Sequence, residues 1–214
     1  MHDHRMIVLS RLYPILDAGC FPDARDLIAA AEELIAGGCT LLQYRNKSGN
    51  ARVMLEQARE LRRQCRTGVS DPHVRLIMND RADLCLAADF DGVHIGQDDL
   101  SPEAVRKIIG ADRWLGVSTH NPEQLREADQ TSADYLAIGP VFATSSKDKP
   151  DPVVGLEGVR RARALTRKPL VAIGGITRAN AASVIEAGAD SVAVISDLLR
   201  EPRKSAEEFF RVLR

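Results

Sequence analysis

Three polar residues leave one apolar run at a spacing of two. They are Gln43, Arg45 and Lys47 in TLLQYRNKSG, residues 40–49. In a strand that spacing puts all three side chains on one face. An amide and two cations in line suit an anionic group. Acids follow at two further places: Asn79-Asp80 closes RLIMND, and Gln97-Asp98-Asp99 follows DGVHIG. Carboxylates at neighbouring strand exits can share a divalent ion, and Mg²⁺ is held by one or two carboxylates with waters and substrate phosphates. Asp80 could equally cap a helix through RADLCLAA, and Asp98 reads as a loop or cap residue near Ser101.

A second grip lies later in the chain. AIGGITRAN sets two glycines between an apolar run and a helical pattern. Glycine lets backbone N–H groups approach an anion, and a helix start adds a favourable dipole. The exit VISD could complete that grip, although GG also makes plain tight turns. The loop of residues 139–155 carries Thr144, Ser145, Ser146 and Lys147, then prolines, and is expected to act as a lid. His94 lies inside a strand pattern and reads as a hydrogen-bonded lining residue. His120 lies at a strand exit, where a structural or substrate-contact role is expected. Three cations, two acids and a glycine grip exceed the needs of one phosphate. They point to two phosphorylated ligands, one of them a metal-bound diphosphate.

The elements that must position these groups alternate along the chain. Strand patterns cover residues 12–18, 40–45, 75–80, 91–96, 114–119, 134–139, 169–175 and 191–196. Helical patterns lie between them. DARDLIAAAEELIAGG opens on acids and stops at Gly37-Gly38. ARVMLEQARELRRQC places Val53, Leu55, Ala58, Leu61 and Cys65 on an apolar stripe. Ser101 and Asn121 are expected N-caps, each followed by a proline, and Thr177 is expected to cap a later helix. The last helix is expected through KSAEEFFRVLR. Eight such units predict the α/β class and a (β/α)₈ TIM barrel, with an open doubly wound sheet as the alternative. No GxGxxG follows the first strand pattern, which weakens that alternative. In a barrel the strand exits converge at one end, which would gather these polar groups.

Composition sets bounds on partners. The chain has 214 residues and a formal net charge of −1, with 28% charged residues. One domain over residues 1–214 is expected, with an N-terminal tail of about ten residues. Balanced charge provides no field for nucleic acid or an anionic membrane. No apolar run is long enough to span a bilayer, and the start lacks a secretory pattern. Cys20, Cys39, Cys65 and Cys85 show no CxxC spacing, which suits reduced thiols in a cytoplasmic protein.

The motifs QYRNK (43–47), MNDRADLCL (78–86), DGVHIGQDDL (91–100), GVSTHN (116–121), DYLAIGPVFATSSK (134–147), AIGGI (172–176) and AVIS (193–196) resemble, in this order, the thiamine phosphate synthase family. The resemblance runs from about residue 12 to about residue 198. It implies a (β/α)₈ barrel and a Mg²⁺-dependent transferase. The reaction would join 4-amino-5-hydroxymethyl-2-methylpyrimidine diphosphate to hydroxyethylthiazole phosphate, giving thiamine phosphate and pyrophosphate. It implies pyrimidine-diphosphate contacts at Gln43, Arg45, Lys47, Asn79, Ser118 and Lys147. It also implies metal ligands at Asp80 and Asp99, the GQxD pattern selecting Asp99 over Asp98. Thiazole-phosphate contacts fall on Thr144, Ser146, Gly175, Ile195 and Ser196. Arg45, Lys47, Lys147 and Ser118 would carry catalysis, by stabilising a departing diphosphate rather than by nucleophilic attack. TSSK replaces the commoner TxTK, keeping a hydroxyl at Ser146, and QYRNK replaces QLREK. A thiazole tautomerase of the same fold and a non-catalytic thiamine-phosphate binder are the competing readings. A homodimer stays open.

Overall fold

Residues 7–47, 49–67, 74–144 and 151–214 are described by a computed structural model. Apolar residues at a period of two build two packing layers from one set of strands. In β1 (Leu12–Asp17), Leu12 and Leu16 join the layer under the helices, while Tyr13 and Ile15 join an inner cluster. In β2 (Leu41–Arg45), Leu42 and Tyr44 face the helices and Leu41 faces inward. β3 (Arg75–Asn79) repeats the split, with Leu76 and Met78 outward and Ile77 inward. β4 (Gly92–Ile95), β5 (Trp114–Thr119) and β6 (Tyr135–Ile138) continue it, Trp114, Tyr135 and Ala137 facing in. β7 (Leu170–Ile173) and β8 (Ser191–Val194) finish it with Val171 and Ala193. Neighbouring strands pair in parallel, and β8 returns to β1, so the sheet closes in the order β1 to β8. The barrel reading holds and the open sheet does not.

The helices cover the outward faces. They are α1 (Ala24–Ala36), α2 (Ala51–Thr67), α3 (Ala82–Ala87), α4 (Pro102–Ile109), α5 (Pro122–Asp129), α6 (Gly155–Leu165), α7 (Ala181–Glu186) and α8 (Pro202–Val212). Each fully buried leucine in this layer contributes roughly 1.5–3 kcal/mol. Ser101 and Asn121 cap α4 and α5 through their side chains, with Pro102 and Pro122 opening each helix.

Three expectations are corrected. In α2 the buried positions include Met54, Ala58 and Leu61, while Val53 is exposed. Leu55 and Cys65 also pack against the core, so only the first position of the expected stripe fails, Met54 taking the place of Val53. Thr177 does not cap α7, which starts at Ala181. Asn180 instead turns its side chain back, accepting from the Thr177 N–H at 2.8 Å and donating to Gly175 O at 3.1 Å. The last helix starts at Pro202, two residues before the expected run, since proline suits a first helical position.

At the end of the barrel where strands begin, one device recurs. Asp91, Asp134 and Asp190 each precede an even-numbered strand. Each accepts the N–H of a leucine in the strand before it: Leu76 at 2.8 Å, Leu115 at 2.7 Å and Leu170 at 2.8 Å. Each also receives an arginine from the helix two before its strand: Arg62 at 2.7 Å, Arg106 at 2.6 Å and Arg163 at 2.8 Å. These clamps tie helix to sheet far from the strand exits. No helix among the described residues is long and apolar enough to cross a membrane.

Candidate active site

Inward residues near the strand exits surround one cavity of about 190 Å³. Gln43, Arg45, Asn79, Ser118, Thr144, Gly175, Ile195 and Ser196 all line it. These eight sequence-predicted residues come from widely separated parts of the chain. The alternation that buries Leu41 and Ile77 also turns Gln43, Arg45 and Asn79 inward. Asn79 Nδ2 is buried and finds no partner among the described residues, an unsatisfied donor in a residue that lines the cavity.

Lys47, Asp80 and Asp99 do not line the cavity and form a second group beside it. β2 ends at Arg45, so Lys47 has left the strand and its alternation. The Lys47 ammonium pairs with Asp80. Asp80 has φ 63°, in the left-handed region, and so leaves the capping position of α3 to Arg81, which makes no side-chain cap. Burial raises the Asp80 pKa; the Lys47 bond opposes that shift, and hydrogen-bonding proximity to Asp99 adds to it. Asp99 also accepts the Gly96 N–H at 2.7 Å. Ser146 and Lys147 lie outside the described residues, with the rest of 145–150 in the middle of the expected lid. Its base is pinned where Val154 N–H donates to Pro140 O at 2.9 Å.

The glycine grip is rigid. Gly174 and Gly175 have φ 101° and 62°, and a Cβ on Gly175 would fall 2.5 Å from Ala143 O. Phe142 N–H donates to Gly174 O at 3.0 Å. Opposite, His120 Nδ1 donates to Gly139 O at 2.7 Å and lies 3.5 Å from Asp151.

The cavity floor is a chain of hydrogen bonds that sequence reasoning largely missed. Gln43 Nε2 donates to Tyr13 OH at 3.0 Å, and the Tyr13 and Tyr135 hydroxyls meet at 3.0 Å. Tyr135 OH lies 3.1 Å from His94 Nδ1, and His94 Nε2 lies 2.8 Å from Ser118 Oγ. Burial pushes the His94 imidazole down to about 4, an effect Asp99 opposes, so the ring is neutral near pH 7. Burial pushes both tyrosines well above their ordinary range. Asp17, also missed, pairs with Arg45. The available signal was the β1 alternation, which places Tyr13, Ile15 and Asp17 on one face.

The sequence pattern of the thiamine monophosphate synthase family matches residues 12–198. The chain belongs to that family. It is 61% identical to a thiamine-phosphate synthase of Koribacter versatilis over 208 residues, covering 96% of each chain. A thiamine-phosphate synthase of Chloroflexus aurantiacus is 47% identical, over 89% of this chain and 85% of the relative. The solved thiamine phosphate pyrophosphorylase of Pyrococcus furiosus superposes with a TM-score of 0.82 at 33% identity, covering 95% of both chains.

A family of this kind raises the question of a metal. Among the described residues no cluster of three or more His, Cys, Asp or Glu converges. The Asp80–Asp99 pair fits an ion that takes two protein carboxylates and fills its shell with phosphate and water. Burial of Asp80 is the main cause of its raised pKa and the nearby Asp99 carboxylate adds to it, and a cation between the two would oppose both.

Proposed function

We propose that the chain condenses the diphosphate ester of an aminopyrimidine with a thiazole phosphate, releasing pyrophosphate and thiamine phosphate. One observation carries the reading: four residues matched to the pyrimidine diphosphate (Gln43, Arg45, Asn79, Ser118) and four matched to the thiazole phosphate (Thr144, Gly175, Ile195, Ser196) line a single cavity. Membership of the family supports it.

Arg45 and Lys47 stand where the diphosphate would leave, with Lys147 assigned to the same task by the resemblance. Their charges stabilise the negative charge that develops on the leaving oxygen. Asn79 Nδ2 adds a donor with no other claim on it. Mg²⁺ held by Asp80 and Asp99 would supply further positive charge to the leaving diphosphate. Loss of the diphosphate leaves a pyrimidine carbocation, which the thiazole nitrogen captures. No protein nucleophile takes part. Gly175 and Ser196, with Thr144 and Ser146, hold the thiazole phosphate so that the ring nitrogen faces the cation. The apolar lining from Ile15, Ala137, Val171 and Ile173 keeps water from competing for it. A cytoplasmic setting with small-molecule substrates, and no nucleic-acid or membrane partner, completes the reading. Near-balanced charge supports it.

The test is pyrophosphate release from purified protein given both substrates, with Mg²⁺ and with EDTA. Release that needs Mg²⁺ and both substrates, matched by thiamine phosphate, is the expected result. No release from folded protein that still binds the thiazole phosphate would overturn it.

A further inference from the structure

We propose that Tyr13, Tyr135 and His94 are positioning residues that fix the Ser118 hydroxyl as a hydrogen-bond donor into the cavity and Gln43 Oε1 as an acceptor. The inference rests on the chain of contacts from Gln43 to Ser118, and its ligand side rests on the proposed function.

Proton counting sets the direction. Tyr13 OH accepts from Gln43 Nε2, and its other partner among the described residues is Tyr135 OH. Tyr13 is 1% exposed and Tyr135 0% exposed, so neither hydroxyl proton can turn to bulk water. Were Tyr135 to donate to Tyr13, the Tyr13 proton would be buried without an acceptor, which is costly. Tyr13 therefore donates to Tyr135. The Tyr135 proton then goes to its remaining partner, His94 Nδ1. Nδ1 must be the bare nitrogen. A neutral imidazole carries its single proton on the other nitrogen. Nε2–H consequently donates to Ser118 Oγ, and the Ser118 proton is free for a ligand. At the far end the amide has spent one N–H on Tyr13, and Gln43 Oε1 has no partner among the described residues.

The two ends of the chain thus face one cavity with opposite polarity. Such a site selects a ligand with a donor for Gln43 and an acceptor for Ser118. An aminopyrimidine diphosphate has both, an exocyclic amine and acceptor atoms on ring and diphosphate. A 4-oxo analogue replaces the donor with an acceptor and leaves Gln43 Oε1 facing a carbonyl. Sites built on such bonds reject mismatched analogues strongly. None of the three buried residues needs to change protonation during the reaction. Their task is to hold the polarity.

The direct test is ¹⁵N NMR of histidine-labelled protein, with His94→Gln identifying the resonance. A protonated Nε2 and a bare Nδ1 are expected. A protonated Nδ1, or an equal mixture, would overturn the inference, because the chain would then run the other way or lack direction. This readout needs no enzymatic activity, so it stands apart from the proposed function. The second arm compares kcat/KM for the 4-amino and 4-oxo diphosphates. Tyr135→Phe removes the donor to Nδ1 and should shrink the amino preference about tenfold. Tyr13→Phe should act in the same direction. An unchanged ratio in folded Tyr135→Phe would remove the specificity role. If the native protein releases no pyrophosphate from either diphosphate, the proposed function falls while the NMR result still decides the proton order.

Discussion

The Lys47 ammonium rests on the Asp80 carboxylate, joining the exit of β2 to the exit of β3. The pair links two residues with different assignments, one to a leaving diphosphate and one to a metal. Lys47 is 56% exposed, so the bond itself adds little stability. A metal-bound diphosphate could separate the two at small cost, giving Asp80 a cation and Lys47 an anion.

Asp80→Asn is the cleanest probe of that arrangement. Asn tolerates the left-handed backbone at this position, so the turn should survive. Turnover is expected to fall roughly 10²–10³-fold, with more Mg²⁺ needed for half-maximal rate and an unchanged melting curve. Steady-state kinetics across a Mg²⁺ titration, beside thermal unfolding, provide the check. Near-normal turnover would take Asp80 out of the metal role.

Asp134→Ala tests the clamp at the opposite end. It leaves Arg106 without its carboxylate and the Leu115 N–H without one acceptor. The expected loss is about 3 kcal/mol, read from urea unfolding. Turnover of the protein that remains folded should match the parent, because the clamp lies at the strand starts. A selective loss of turnover without a loss of stability would contradict this division of labour.

Gly116→Ala probes the close packing under the cavity. A Cβ there would fall 2.1 Å from Tyr135 Cζ and 2.4 Å from His94 Nδ1. The rings must move, at a cost of roughly 1–3 kcal/mol or somewhat more. Both the melting temperature and kcat/KM should drop, because the displaced rings also carry the floor of the site. Parent-like stability and kinetics would show that the floor yields easily.

His94 should leave a mark on the pH dependence of stability. Burial holds the folded imidazole down at about 4, against roughly 6.5 when unfolded. Between those values the unfolded chain binds a proton that the folded chain refuses. The contribution is therefore fully present above about pH 6.5 and is lost as the pH falls towards about 4, by roughly 3 kcal/mol in all. Urea unfolding of the parent and of His94→Gln at several pH values isolates it, since other groups titrate alike in both. Parallel stability curves would show that His94 is protonated as easily in the fold as out of it.

Local chemistry made much of this protein readable. Period-two alternation named Gln43 and Arg45 as inward residues of β2 without any contact being known, and failed at Lys47, which lies past the end of that strand. Ser101-Pro102 and Asn121-Pro122 announced two helix starts, because a cap is satisfied within three residues. The strand exits followed from the strands, and so did the reading that their polar residues share one end of a barrel.

Other features depended on closure of the barrel. Tyr13 and Tyr135 are 122 residues apart and hydrogen-bonded, and no local pattern pairs them. Arg45 with Asp17 and Lys47 with Asp80 are partners because adjacent strands end side by side. In α2 periodicity named Leu55, Ala58, Leu61 and Cys65, and only at the first turn does Met54 rather than Val53 turn inward. Thr177 gives its N–H to Asn180 Oδ1 instead of capping α7, and Asn180 Nδ2 reaches back to Gly175 O. The sequence by itself determined the strands, the end at which their polar exits gather and part of the inward set, Gln43 and Arg45 among it. Tertiary structure decided which of these residues meet, because that depends on distances that only the closed sheet sets.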